Sequence, residues 1–159
     1  STVGVHGIDN GLIPIVAYNF GAGKMERIAQ AIKWAMVYSA VLFLVFFAVL
    51  ELAPTLVLSI FETSEHMLRL GVPALRILAV SWLVSIPSLV LAAALQGFSL
   101  GTHSMILTMT RQAVLPVAFA LVLQFFGSLE LVWLGFVLAE LAGVPLSAIL
   151  WKRAYQTRM

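Results

Sequence analysis

Two carboxylates and one guanidinium sit inside long apolar stretches of this 159-residue chain, and they are the first places to look for chemistry. Asp9, next to Asn10, lies about ten residues before the turn Gly21-Ala22-Gly23, or about 15 Å at helical rise. Glu140 lies in the middle of the apolar run 131–151, and Arg111 lies about two turns into the run 104–126. A lone charge at the centre of a bilayer costs about 2.5–3.5 kcal/mol on insertion scales, so such groups are paired, protonated or turned toward water. Asp9 with its neighbour Asn10, Glu140 and the span-end Gln96 are therefore candidates for binding a proton, a cation or a cationic substrate. For Asp9 the plainer alternative is a position near the interface or a bond to Asn10. For Glu140 it is an ion pair with Arg111, and Arg111 could instead snorkel to the surface. Ser81, Ser85, Ser88, Ala92 and Gln96 share one helical face, which either lines a cavity or binds helix to helix through small polar groups.

The elements that must hold these groups are apolar helices. The chain is 62% apolar and 10% charged, with a mean hydropathy of +1.04. Soluble domains carry about 25% charged residues, so the expected class is an all-α membrane protein. About five transmembrane helices are expected, over about 1–20, 28–53, 72–100, 104–126 and 131–151, with a tail at 152–159. The polar run Phe61 to His66 reads as part of a connector whose short helix Thr63 or Ser64 would cap. Pro14, Pro87, Pro116 and Pro145 fall inside spans and predict kinks. The chain has no initiator Met and opens partway into a span, which suggests a fragment.

Charge placement orients the spans. Lys24, Arg27 and Lys33 surround the first turn, and Lys152, Arg153 and Arg158 lie in the tail, four spans later. Both groups face one side, which the positive-inside rule makes cytoplasmic, so the chain start faces outward across an inner membrane. Glu62, Glu65 and Glu130 fall on the other side, with Arg69 as the exception. A net charge of +2 spread over span ends does not form a nucleic-acid surface.

Enzyme signatures do not emerge. No cysteine is present, and His6, His66 and His103 stand apart, without a His-Glu-x-x-His arrangement. Gly21-Ala22-Gly23-Lys24 fails as a phosphate loop, because Met25 stands where Ser or Thr is required. No metal site or organic cofactor is expected.

The opening stretch, Gly7-Ile-x-x-Gly11 with Pro14-Ile-x-x-Tyr18-Asn19-Phe20-Gly21-Ala22-Gly23-Lys24-x-x-Arg27-Ile28, resembles the second-half signature of multidrug and toxic compound extrusion (MATE) transporters. Leu75-Arg76-Ile77, Leu95-Gln96-Gly97, Arg111 with Pro116, and Val132-Trp133 continue the likeness. The resemblance implies a twelve-helix fold of two six-helix lobes, of which this chain would be the last part of the second lobe. It implies antiport of cationic, amphipathic drugs against protons or sodium ions, with the lipid bilayer and the missing N-terminal part as partners. Some branches carry a cation-binding acid in the tenth helix, where this chain has only serines and Gln96. By resemblance, coupling would then rest on an acid in the first lobe. The rival readings are a flippase for lipid-linked precursors, which needs a strongly cationic cavity, and a non-transporting scaffold or assembly partner.

Overall fold

The computed structural model describes residues 2–59, 65–126 and 129–158. These form α1 (Thr2–Gly21), α2 (Met25–Leu52), α3 (Pro54–Ser59), α4 (Glu65–Gly97), α5 (Gly101–Met109), a π-helical segment (Thr110–Val114), α6 (Leu115–Leu123), a short 3-10 turn (Gln124–Phe126) and α7 (Leu129–Arg158). Four stretches of the described residues are long and apolar enough to cross a membrane: Met25–Leu52, Gly71–Gly97, Gly101–Leu123 and Leu131–Thr157. The fifth expected span, α1, forms a 20-residue helix. Its apolar character falls short because His6, Asp9, Asn10, Asn19 and its glycines interrupt the run.

α4 is the centre of the bundle and touches α1, α2, α3, α5 and α7. Its sequence explains the position. Val90 to Leu95 is a run of small and medium apolar residues that is buried all round, as a core helix requires. α1 and α2 pack on one part of α4 through Leu12, Val16, Ile28, Ile32, Ala35 and Phe43. α5 and α7 pack through Leu107 and Ala154 on Ala92 and Leu95. The outward face of α2 carries Val37, Val41, Leu44, Val45 and Val49 in the open. Such a face is suited to an apolar neighbour such as lipid.

Turn chemistry fixes the ends. α1 closes with Gly23 at φ 67°, and the Lys24 N–H donates to the Asn19 carbonyl at 2.8 Å. Glycine adopts this left-handed conformation without steric cost. α4 closes the same way but with Ser99 at φ 60°, the Leu100 N–H donating to the Leu95 carbonyl at 3.0 Å. Ser99→Gly should relieve the Cβ strain and stabilise the protein by about 1 kcal/mol, read as a raised melting temperature in detergent.

Several boundaries move from the expected ones. α4 starts at Glu65, earlier than residue 72. α7 continues to Arg158, so residues 152–158 of the expected tail are helical. Basic residues there suit the negative end of the helix. The proposed cap at Thr63 or Ser64 and the Gly127-Ser128 turn lie outside the described residues. Pro116 comes just after the π-helical segment, where the Leu115 N–H reaches back to the Thr110 carbonyl. A proline ring clashes with the carbonyl four residues earlier in a regular α-helix, and the wider turn makes room for it.

Candidate functional site

A buried polar cluster lies between the π-helical segment and α7, with Ser88 of α4 beside it. The π turn places Arg111 against α7, where its guanidinium Nη1 donates to Glu140 Oε2 at 2.7 Å. The Arg111 side chain is 2% exposed and that of Glu140 is 16% exposed. Arg111 therefore does not snorkel; it is buried and paired. Its Nε and Nη2 are buried without hydrogen-bond partners among the described residues. The pair neutralises charge but leaves the guanidinium's donor capacity in part unused, a costly state in a low-dielectric interior.

Gly143 makes this packing possible. A Cβ there would lie 2.9 Å from both Cγ and Cδ of Arg111 and 3.6 Å from Ser88 Oγ. The arginine stem thus crosses α7 where α7 has no side chain. Ser147, one turn further on, donates to the Val144 carbonyl at 2.7 Å and lies 3.5 Å from Ser88 Oγ. Sequence reading singled out Glu140 and gave neither Gly143 nor Ser147 this role. The usable signal was a glycine three residues after a mid-span acid.

The three serines of the stripe are buried. Ser81 donates to the Leu78 carbonyl and Ser85 to the Trp82 carbonyl, each at 2.7 Å, and both are buried. Ser88 is buried against Ser147. Gln96, at the end of the stripe, is exposed; its Nε2 donates to Ser104 Oγ at 3.1 Å, and Ser104 in turn donates to the Ala92 carbonyl at 2.8 Å. This network ties α4 to α5. Beside it lies a cavity of about 320 Å³ lined by Gln96, Gly101, Ser104, Met105, Thr108 and Met109.

Asp9 and Asn10 belong to a separate region. Among the described residues α1 contacts α2 and α4 but not α7, so α4 stands between Asp9 and the Arg111–Glu140 pair. Asp9 is half-buried and engaged with a neighbouring group, and Asn10 is exposed. No group of three or more metal-ligating side chains occurs among the described residues. A second ion pair, Arg76 Nε to Glu51 Oε2 at 3.2 Å, joins α4 to α2 near the opposite end of the bundle. Sequence reading missed it, because 25 residues and a connector separate the partners.

Comparison with known proteins bears on the whole arrangement. The chain is 28% identical over 130 residues to the multidrug export protein MepA of Staphylococcus haemolyticus (strain JCSC1435), covering 81% of this chain and 28% of that protein. Its fold matches a multidrug resistance MATE family transporter of the MOP superfamily in an inward-facing conformation, with a TM-score of 0.85 at 24% identity, over 98% of this chain and 37% of that one. It also matches an outward-facing conformation of such a transporter, with a TM-score of 0.87 at 23% identity, over 97% and 35%. The chain thus spans roughly a third of the length of these relatives. The MatE family matches residues 1–122, most of the chain, and the protein is a multi-pass membrane protein belonging to that family.

Proposed function

We propose that this chain works as part of the second lobe of a secondary multidrug exporter, which antiports cationic amphipathic compounds against protons or sodium ions. One observation carries the reading: the same helices superpose nearly equally well on an inward-facing and an outward-facing transporter, with TM-scores of 0.85 and 0.87. A body that keeps its internal arrangement in both states can rock as a unit against the rest of the transporter. The remaining lobe and the start of this one complete the cavity.

The charge distribution supports an inner-membrane orientation with the α7 end cytoplasmic. Phe20, Phe98 and Trp151 meet in ring contacts of 4.6 and 5.0 Å, which puts the ends of α1, α4 and α7 together. Lys24, Arg27, Lys152 and Arg153 therefore share one end of the bundle, as the positive-inside rule favours for the cytoplasm.

Arg76 and Arg111, which lie within the expected spans 72–100 and 104–126, are held by carboxylates, Arg76 by Glu51 and Arg111 by Glu140. That weighs against a flippase, which needs free cations for lipid phosphates. Asp9, a carboxylate inside a helix of the bundle, remains a coupling candidate beside Glu140. In vesicles containing the transporter of which these residues form the second-lobe part, an imposed ion gradient should drive export of a cationic dye. Asp9→Asn should remove most of that gradient-driven export while leaving membrane insertion intact. Unchanged export would remove Asp9 from the mechanism, and absence of ion-dependent export in the unaltered transporter would favour a scaffold.

A further inference from the structure

A groove of about 500 Å³ lies between the first turn of α5 and the last turns of α7, lined by Leu100, His103, Leu150, Arg153, Ala154 and Thr157. This volume is within the range of about 300–1,000 Å³ typical of small-molecule sites. Its floor is apolar: Ala154 is buried, and Leu100 and Leu150 pack against it in the α4–α5–α7 core. Its rim is polar and carries the positive charge of Arg153. His103 and Arg153 are exposed, no acidic residue lines the groove, and Arg153 forms no ion pair among the described residues. The Thr157 hydroxyl donates to the Arg153 carbonyl at 2.8 Å, fixing the last turn that carries the arginine.

The level of the groove identifies its occupant. It sits at the end of the bundle where α4 finishes, α5 begins and α7 carries Trp151 and Tyr155 in ring contact, an amphipathic pair suited to the membrane interface. One turn deeper, Ile106 follows His103 on α5 and Ile149 precedes Arg153 on α7, and both isoleucines are exposed. α7 therefore presents a cation, and α5 an imidazole that can donate a hydrogen bond, each above a bare apolar side chain. A free phosphate would use only the upper half of this surface. A zwitterionic headgroup would bring its ammonium against His103 and Arg153, where no carboxylate receives it.

We propose that this groove binds the headgroup of an anionic phospholipid, with Arg153 and His103 taking the phosphate and Ile106 and Ile149 flanking an acyl chain. Basic pockets between helices at a membrane face are suited to such headgroups. The site is independent of the transport reading and requires only the membrane setting.

The test is lipid titration of the purified protein in detergent, with bound lipid counted by native mass spectrometry. Phosphatidylglycerol should bind and phosphatidylcholine should not. Arg153→Gln and His103→Gln should each weaken phosphatidylglycerol binding about five-fold, while Lys152→Gln, outside the groove, should leave it unchanged. Melting temperatures of the variants verify that each is folded. Equal loading with phosphatidylcholine, or undiminished binding in the double variant H103Q/R153Q, overturns the proposal. Displacement of the lipid by millimolar inorganic phosphate would mark a site for soluble anions and overturn it as well.

Discussion

Glu140→Ala should destabilise the protein by about 3–5 kcal/mol, the cost of leaving one partner of a buried ion pair alone. The size follows from the burial of Arg111, which is 2% exposed and has its Nε and Nη2 already without partners. Removing Glu140 would leave the whole guanidinium uncompensated. The same geometry predicts that the pair itself contributes little net stability, since both ions give up hydration to form it. The double variant R111M/E140L should therefore recover most of the loss. Denaturant or thermal unfolding of the single and double variants in detergent measures both quantities in one cycle. A loss below about 1 kcal/mol in the single variant, the scale of an exposed pair, would mean that Arg111 finds water instead.

The cycle also separates two roles for Glu140. If the carboxylate serves only Arg111, R111M/E140L restores stability and transport together. If it also binds a cation during transport, stability returns while ion-driven export does not.

Composition and the spacing of apolar runs made the helical membrane class legible, because lipid leaves few alternatives for an apolar chain of this length. The family was legible from a short stretch, Gly7 to Ile28, where glycine, proline and basic residues fall at fixed separations. The choice between snorkelling and pairing for Arg111 was not legible. It depends on a π-helical turn whose cause, Pro116, lies five residues further on, and on the absence of a side chain at Gly143, 32 residues away. The serine stripe was legible as a face, but its burial against α7 came from Ser147, whose distance to Ser88 only the fold sets. Sequence spacing describes one helix at a time, and these features each need two.

Gly97→Ala should cost about 1–3 kcal/mol by overpacking, although it adds a single methyl group in a residue favourable to helices. A Cβ at position 97 would stand 2.6 Å from Cβ and Cγ1 of Val16 and 3.0 Å from the Ile13 carbonyl oxygen. Real Cβ atoms do not approach so closely, and two of the three atoms it meets cannot rotate away. Val16 Cβ is fixed to its backbone, and the Ile13 carbonyl belongs to the turn before Pro14. α1 would have to withdraw from α4, opening the packing around Val16 and Phe98, both fully buried. Contrast with Gly11 isolates the cause: it lies in α1 with open space where its Cβ would be, so Gly11→Ala should leave the isolated chain's stability unchanged or slightly raised. Trimming the partner, as in V16G/G97A, should restore the close approach of the helices while losing the buried valine. Unfolding measurements on the three variants distinguish a steric crossing from a general intolerance of substitution at position 97. If Gly97→Ala is neutral, α1 is free to shift on α4, and the superposition on both transporter conformations then depends on the other helices.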